Sequence, residues 1–226
     1  MRILVVAATA MEIAPLVARL RHRSAGSLRV KSYAHAAHDI DVLITGVGMV
    51  ATAAWCSHVL ASPRYDLALN LGLCGSFDRA LEPGTVVHVR SDRLAELGAE
   101  DDDAFLTVQQ LQLLGDDEFP FTGGQLVNPA PPDNAAIGRL PDVESITVNT
   151  VHGNPRSIAD VARRFKPQVE SMEGAAFMYA CMIRGLVHAQ VRSVSNFVEK
   201  RNRAAWKIGD AIRSLEHAAL SILDHA

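Results

Sequence analysis

"MRILVVAATAMEIAPL", residues 1–16, sets the reading of the whole chain. An uninterrupted apolar run, Ile3 to Ala8, gives way at once to Thr9, Met11 and Glu12. The run is short for a secretory leader, and a charge follows it directly. A strand buried on both faces, turning into a helix, accounts for it better.

The same rhythm repeats outward from this start. Residues 2–8, 40–46, 66–71, 85–90, 145–151 and 189–195 read as strands, and 11–22, 49–61, 156–165, 172–184 and 204–224 as helices. In the last helix Ile208, Ile212, Leu215, Ala219 and Ile222 recur at three- and four-residue steps, which marks an amphipathic face. Strands apolar on both faces and separated by helices predict an α/β fold. The expected architecture is a three-layer sandwich, with helices on both faces of a twisted, mixed, mostly parallel sheet. The 226 residues fit one domain, 1–226. Residues 96–144 break the rhythm with acidic and Gly/Pro/Asp-rich stretches. They read as a surface excursion of the kind that forms lids.

Composition narrows the function. Hydrophobic residues make up 49% of the chain, enough for a sizeable core, and the net charge is -3. No stretch gathers Lys and Arg on one face, which argues against a nucleic-acid partner. Arg19, Arg21, His22 and Arg23 read as a solvated turn. Three widely spaced cysteines make neither a disulfide framework nor a zinc ribbon, and a reducing cytoplasm suits them. No run is long and uncharged enough to cross a membrane.

Several motifs are weak alone. "TGVGMVA", 45–51, puts Gly46 and Gly48 between a strand and a helix. A dinucleotide fingerprint would want an acidic residue ending the next strand, whereas Asp66 opens it. A glycine turn whose amides approach a small ligand fits instead. "HAAHD", 35–39, and Asp101–Asp103 read as surface rather than metal sites. "NLGLCGSF", 70–77, runs a strand into a glycine turn, at the strand end where such folds bind ligands. Cys74 has no histidine partner in sequence and is not expected to be a nucleophile.

Three other motifs converge. "VESMEGAAF", 169–177, brackets Met172 with Glu170 and Glu173 at the start of a thin apolar helix. A glutamate in such a setting wants hydroxyl donors, as a sugar diol offers. Glu12 follows the first strand, and "RSVSN", 192–196, ends an apolar strand on an amide. Glu12, Glu173, Arg192 and Asn196 thus all fall at strand exits or helix starts, which is the case for a site.

On these residues the chain resembles the nucleoside phosphorylase and nucleosidase superfamily over nearly its whole length. "AMEI", "TGVGMV", "NLGLCG", "ESMEGAA" and "RSVSN" stand in the order of the corresponding motifs of its methylthioadenosine/S-adenosylhomocysteine nucleosidases. The final aspartate of the adenine-specific pattern is Asn196 here. That amide, with "SNFVEKRNRAAW" and its Trp206, is similar to the futalosine-hydrolysing branch of menaquinone synthesis. The resemblance implies hydrolysis of futalosine to hypoxanthine and dehypoxanthine futalosine, no cofactor, no metal, and a homodimer or larger homo-oligomer. It implies Glu12, Arg192 and Asn196 as catalytic residues. The expected substrate-binding set is Gly46, Gly48, Leu73, Cys74, Gly75, Val151, His152, Met172, Glu173 and Ser195. The residues for the benzoate end stay open among Phe105, Phe119, Phe121, Arg201 and Arg203.

Chemistry separates Asn196 from an aspartate. An amide donates to the 6-oxo group of hypoxanthine and accepts the proton that N7 gains as the bond breaks. A carboxylate repels the oxo group and suits an adenine amino group. The competing enzyme is a purine nucleoside phosphorylase, which needs arginines and glycines for phosphate near the first strand. Thr9, Met11 and Glu12 stand there, with no arginine between that turn and Arg19. A methylthioadenosine-type nucleosidase and a non-catalytic nucleoside-binding module are the remaining alternatives.

Overall fold

The computed structural model describes residues 1–24, 27, 29–61 and 65–226. The first strand forms as expected: β1 (Arg2–Ala7) is buried from Ile3 onward and leads into α1 (Ala10–Arg19). An antiparallel edge follows, β2 (Arg21–Ser24), β3 (Val30–His35) and β4 (His38–Ile44), and then α2 (Met49–Leu60). The long strands β5 (Leu67–Ser76) and β6 (Val86–Leu94) come next. A hairpin, β7 (Gly98–Asp101) and β8 (Ala104–Thr107), precedes the short β9 (Phe121–Thr122) and β10 (Gln125–Val127). The chain closes with β11 (Asp142–Thr147), α3 (Pro155–Phe165), β12 (Val169–Ser171), α4 (Gly174–Met182), β13 (His188–Phe197) and α5 (Ile208–Asp224).

The main sheet runs β2-β3-β4-β1-β5-β12-β11-β6-β10-β9, and β13 pairs with both β5 and β6. The strands β5, β12, β11, β6 and β13 therefore close on themselves as a ring. Pairs β1–β4, β1–β5, β5–β13, β11–β12 and β11–β6 are parallel. Antiparallel pairs lie at the two edges and where β12 and β13 complete the ring. Core residues cover both faces. Ile13, Leu16, Leu215, Ala219 and Ile222 of α1 and α5 pack on one, and Cys56, Phe177, Met178 and Cys181 of α2 and α4 on the other.

The sequence reading needs four corrections. Arg21–Ser24 is a strand at the exposed sheet edge, not a turn; pairing with β3 supplies its structure, and its side chains stay solvated. The strand expected at 145–151 ends at Thr147. The helices expected from 172 and 204 start at Gly174 and Ile208. The excursion 96–144 is only partly superficial. β10 joins the main sheet through β6, and Phe121, Leu126, Asn128, Ala136 and Ile137 are buried. Apolar side chains spaced singly among Gly, Pro and Asp carry no period that a sequence reading detects.

Candidate active site

The cavity that gathers the expected residues holds about 260 Å³. Larger cavities of about 460 and 520 Å³ lie along the 96–124 segment, α3 and the β7–β8 hairpin. Strand ends build the 260 Å³ cavity, as expected for a ring of largely parallel strands. Ala8, Thr9, Met11 and Glu12 come from the β1–α1 turn, Leu73, Cys74 and Gly75 from β5, and Val151 and His152 from the loop before α3. Glu170, Ser171, Met172 and Glu173 come from β12 and the start of α4, and Ser195 and Asn196 from β13. Val47, Trp206 and Ile208 complete the wall. Among the described residues, none from 96–144 lines this cavity, so the excursion is no lid in this conformation.

Three expected residues stand outside the lining. Gly46 gives its N–H to the Ala8 carbonyl at 3.0 Å. Gly48 gives its N–H to Glu173 Oε1 at 2.9 Å. The amides of this turn thus serve protein partners, and Gly48 acts on the site through Glu173. Arg192 lies behind the cavity, 1% exposed.

Glu12 is held by three donors. Its Oε2 accepts from Thr9 N at 2.9 Å and Thr9 Oγ1 at 2.8 Å, a capping box at the start of α1. Its Oε1 accepts from Leu73 N at 3.1 Å. The local sequence T-A-M-E therefore fixes both the helix start and the carboxylate. Glu173 is 5% exposed. Burial raises its pKa above the usual carboxylate range, while Arg192 and the Gly48 N–H oppose the rise and Glu12 adds to it. Burial pushes the Cys74 thiol up to about 12, which keeps it protonated and unsuited to nucleophilic attack.

Arg192 is fixed through amides. Its Nε donates to Gln190 Oε1 at 3.0 Å, and its Nη2 donates to Asn70 Oδ1. Gln190 Nε2 donates to Asp92 Oδ2 at 3.0 Å, and Thr147 Oγ1 donates to Asp92 Oδ1 at 2.9 Å. Burial pushes Asp92 up to about 6, against these donors and Arg192. Gly72 gives the guanidinium its room. A Cβ there would collide with Arg192 Nη1 and lie 3.1 Å from Glu12 Oε1, so both groups share one patch of backbone. Among the described residues Arg192 has no carboxylate partner within ion-pair distance.

Asn196 owes its position to a bulge. The register between β13 and β5 shifts between Val194, opposite Cys74, and Asn196, opposite Gly75. Ser195 is the extra residue, and both side chains reach the cavity as a result. Asn196 Oδ1 accepts from Ser195 Oγ at 2.8 Å, and its Nδ2 donates to the Phe197 carbonyl at 2.9 Å. One N–H and one lone pair remain for a ligand. The expected set lacks the lining residues Ala8, Thr9, Met11, Val47, Glu170, Ser171, Trp206 and Ile208, and the supports Asn70, Asp92 and Gln190. The only signal for the supports is a polar side chain inside an otherwise apolar strand.

The sequence model of the phosphorylase superfamily matches residues 2–226, and the chain belongs to that superfamily. Within it, the chain is 32% identical over 200 residues to the futalosine hydrolase of Acidothermus cellulolyticus, covering 85% of this chain and 77% of that one. It is 33% identical over 187 residues to the futalosine hydrolase of Streptomyces coelicolor, covering 79% and 76%. The fold matches that of a methylthioadenosine/S-adenosylhomocysteine nucleosidase from Colwellia psychrerythraea solved with adenine. There the TM-score is 0.81, with 18% identity over 100% of this chain and 95% of that one. The futalosine hydrolase of Helicobacter pylori has the same fold, with a TM-score of 0.77 and 13% identity over 100% and 98%.

Proposed function

We propose that this protein hydrolyses the N-glycosidic bond of futalosine, releasing hypoxanthine and dehypoxanthine futalosine for menaquinone synthesis. One observation carries the reading. Three carboxylates, Glu12, Glu170 and Glu173, and one amide, Asn196, line a single cavity with no Arg or Lys among its described lining residues, and Glu170 is committed to His152, which leaves Glu12 and Glu173 for a substrate. The first residue type suits a sugar that becomes cationic, and the second suits a 6-oxopurine.

In the proposed reaction Glu12 takes a proton from a water as its oxygen bonds to the anomeric carbon, and the carbon–N9 bond breaks. Its three donors leave it oriented for that task. Glu173 accepts from the ribose hydroxyls, with bonds that tighten as the sugar flattens. Arg192 keeps the carboxylates facing the sugar through its charge. The base leaves with the electron pair of the broken bond and takes a proton from solvent at N7, while Glu12 returns the water's proton to solvent, so one water is consumed. Asn196 accepts that N7–H with its free lone pair and donates its free N–H to the 6-oxo group. A phosphorylase reading is weaker, since a phosphate dianion would meet three lining carboxylates and no lining Arg or Lys among the described residues.

The benzoate end is assigned to the Trp206 side. Trp206 lines the cavity, and the Arg201 guanidinium lies 5.3 Å from its ring centroid, a cationic rim for a carboxylate. Of the other candidates, Phe121 packs in the core against Tyr179 and Phe105 lies under Arg164. Phe119 and Arg203 are exposed and outside the lining. The exposed apolar residues Met11, Val47 and Val50 near the mouth support a homo-oligomer. Three buried free thiols suit a reducing cytoplasm, and no described helix is long and apolar enough to cross a membrane.

The deciding assay incubates the protein with futalosine, inosine and methylthioadenosine, with and without phosphate, and measures free base. Hypoxanthine from futalosine at a rate independent of phosphate is the expected result. Adenine release as the main activity, or dependence on phosphate, overturns the reading.

A further inference from the structure

The purine site contains a second polar device that the reaction above does not use. His152 Nδ1 lies 2.6 Å from Glu170 Oε2, and Glu170 Oε1 accepts the His152 backbone N–H at 3.1 Å. The glutamate is 4% exposed and so grips one histidine at two points. Phe77 braces the ring edge-on, with centroids 6.3 Å apart. Among the described residues no group bonds to Nε2. Both His152 and Glu170 line the cavity that holds Asn196, and His152 stands between it and the 520 Å³ cavity beside α3.

Their placement relative to Asn196 is fixed by the sheet. Gly75 of β5 has Asn196 of β13 opposite it on one side and Glu170 of β12 on the other. A Cβ on Gly75 would meet Val198 Cγ2 at 2.9 Å, Asn196 Nδ2 at 3.4 Å and Glu170 Cγ at 3.6 Å, so the amide and the glutamate stand close together on one face of the sheet. A flat base in this cavity therefore has the amide and the histidine–glutamate pair as neighbours. On a purine, N7, the 6-substituent and N1 follow one another along one edge. A base whose N7 and 6-position face Asn196 presents N1 at the next corner, on the side away from N9, where a neighbouring side chain can meet it.

We propose that His152 reads N1 of the base, and that Glu170 sets which tautomer does the reading. This inference rests on the function proposed above. The carboxylate accepts Nδ1–H, so the neutral ring carries a bare lone pair on Nε2. Hypoxanthine has an N1–H to give it, whereas adenine has a lone pair at N1 that opposes it. The two sides of the site then select the same base. Asn196 matches the 6-oxo group and His152 matches N1–H. His152 is a specificity-determining residue, and Glu170 is a positioning residue that acts through it.

Two variants test this by binding of hypoxanthine and adenine to the full chain, each measured calorimetrically. In Glu170→Gln the amide oxygen keeps the His152 backbone N–H, and the amide N–H faces Nδ1. That forces the proton to Nε2 and turns the ring from acceptor to donor. The expected result is a shift of the hypoxanthine-to-adenine affinity ratio toward adenine by about tenfold or more, one donor–acceptor mismatch. In His152→Leu the hypoxanthine affinity falls by a similar factor, and the affinity for unsubstituted purine, which has no N1–H, does not fall. A folded Glu170→Gln protein with the wild-type ratio overturns the inference, and it does so even where His152→Leu fails to fold. Wild type that releases no hypoxanthine from futalosine overturns the function itself. Wild type that releases it, with the ratio unmoved in the variants, overturns only the role of His152 and Glu170.

Discussion

Replacing Asn196 by Asp changes one atom and two interactions. The side chain keeps its shape, and Oδ1 keeps the Ser195 hydroxyl at 2.8 Å. The other oxygen, however, lands where Nδ2 now donates to the Phe197 carbonyl at 2.9 Å, and two acceptors face each other. Leaving such groups unmatched costs about 1–3 kcal/mol. That term weakens the site for every substrate alike. The second loss is selective, since the carboxylate has no donor for a 6-oxo group but accepts from a 6-amino group. Taking about 2 kcal/mol for each loss gives about 4 kcal/mol, roughly 10³-fold in kcat/KM on the hypoxanthine nucleoside. The hypoxanthine-to-adenine preference moves by only the selective half, roughly 30-fold. The assay compares kcat/KM for hypoxanthine and adenine nucleosides with one common 5′ group, in wild type and variant, alongside melting temperature. A fall in both rates with an unchanged ratio would mean that Asn196 anchors β13 and does not read the base. An unchanged rate would refute the whole assignment.

Three further outcomes are expected. Glu12→Gln should lower kcat by about 10²–10⁴-fold, the range for loss of a general base; its melting temperature should fall only slightly, because the capping box is half retained, and near-normal turnover would reduce Glu12 to a helix cap. Glu173→Ala should lose more in turnover than in hypoxanthine affinity, as measured by steady-state kinetics and base inhibition, and the opposite split would place Glu173 at the base. Asp92→Asn should alter the pH dependence of stability: the folded pKa of Asp92 is raised from 3.8 to about 6 by burial, so the native state binds the extra proton, and this group's contribution to stability rises as pH falls from about 6 toward 4. Removing the charge should therefore stabilise the variant relative to wild type by roughly 2 kcal/mol more at pH 7 than at pH 4, read by urea unfolding, and a difference that does not change with pH would contradict the buried ionised form.

The parts of this site that a sequence displays are those that break a local pattern. Glu12 interrupts an apolar start, Glu173 opens a helix of small apolar residues, and Asn196 ends a strand. Each is odd where it stands, so each is visible without a structure. Asp92, Gln190 and Asn70 are odd too; Gln190 neighbours Arg192 along β13, but Asp92 and Asn70 sit inside other long strands, and only pairing of β5 and β6 with β13 brings them to it. The bulge at Ser195 is invisible for a different reason. It arises from the fit of β13 to its neighbour, not from any residue type in "RSVSN". The pairing of His152 with Glu170 is likewise a product of β12 lying beside the loop before α3, and the two residues are 18 positions apart.

The buried guanidinium explains why the carboxylates stay available. A cation taken out of water loses several kcal/mol of hydration, and the usual remedy is a direct carboxylate partner. Arg192 has amide partners instead, Asn70 and Gln190, and its charge acts at a distance on Asp92 and Glu173. A direct ion pair with Glu12 or Glu173 would have tied up the oxygens that a sugar and a water require. The amide lattice holds the cation still, Gly72 lets it approach the cavity floor, and the carboxylates feel its field while keeping lone pairs free. With Glu12 and Glu173 both facing the cavity and Arg192 held back from their free lone pairs, the layout suits the positive charge that an oxocarbenium-like sugar develops in the proposed reaction.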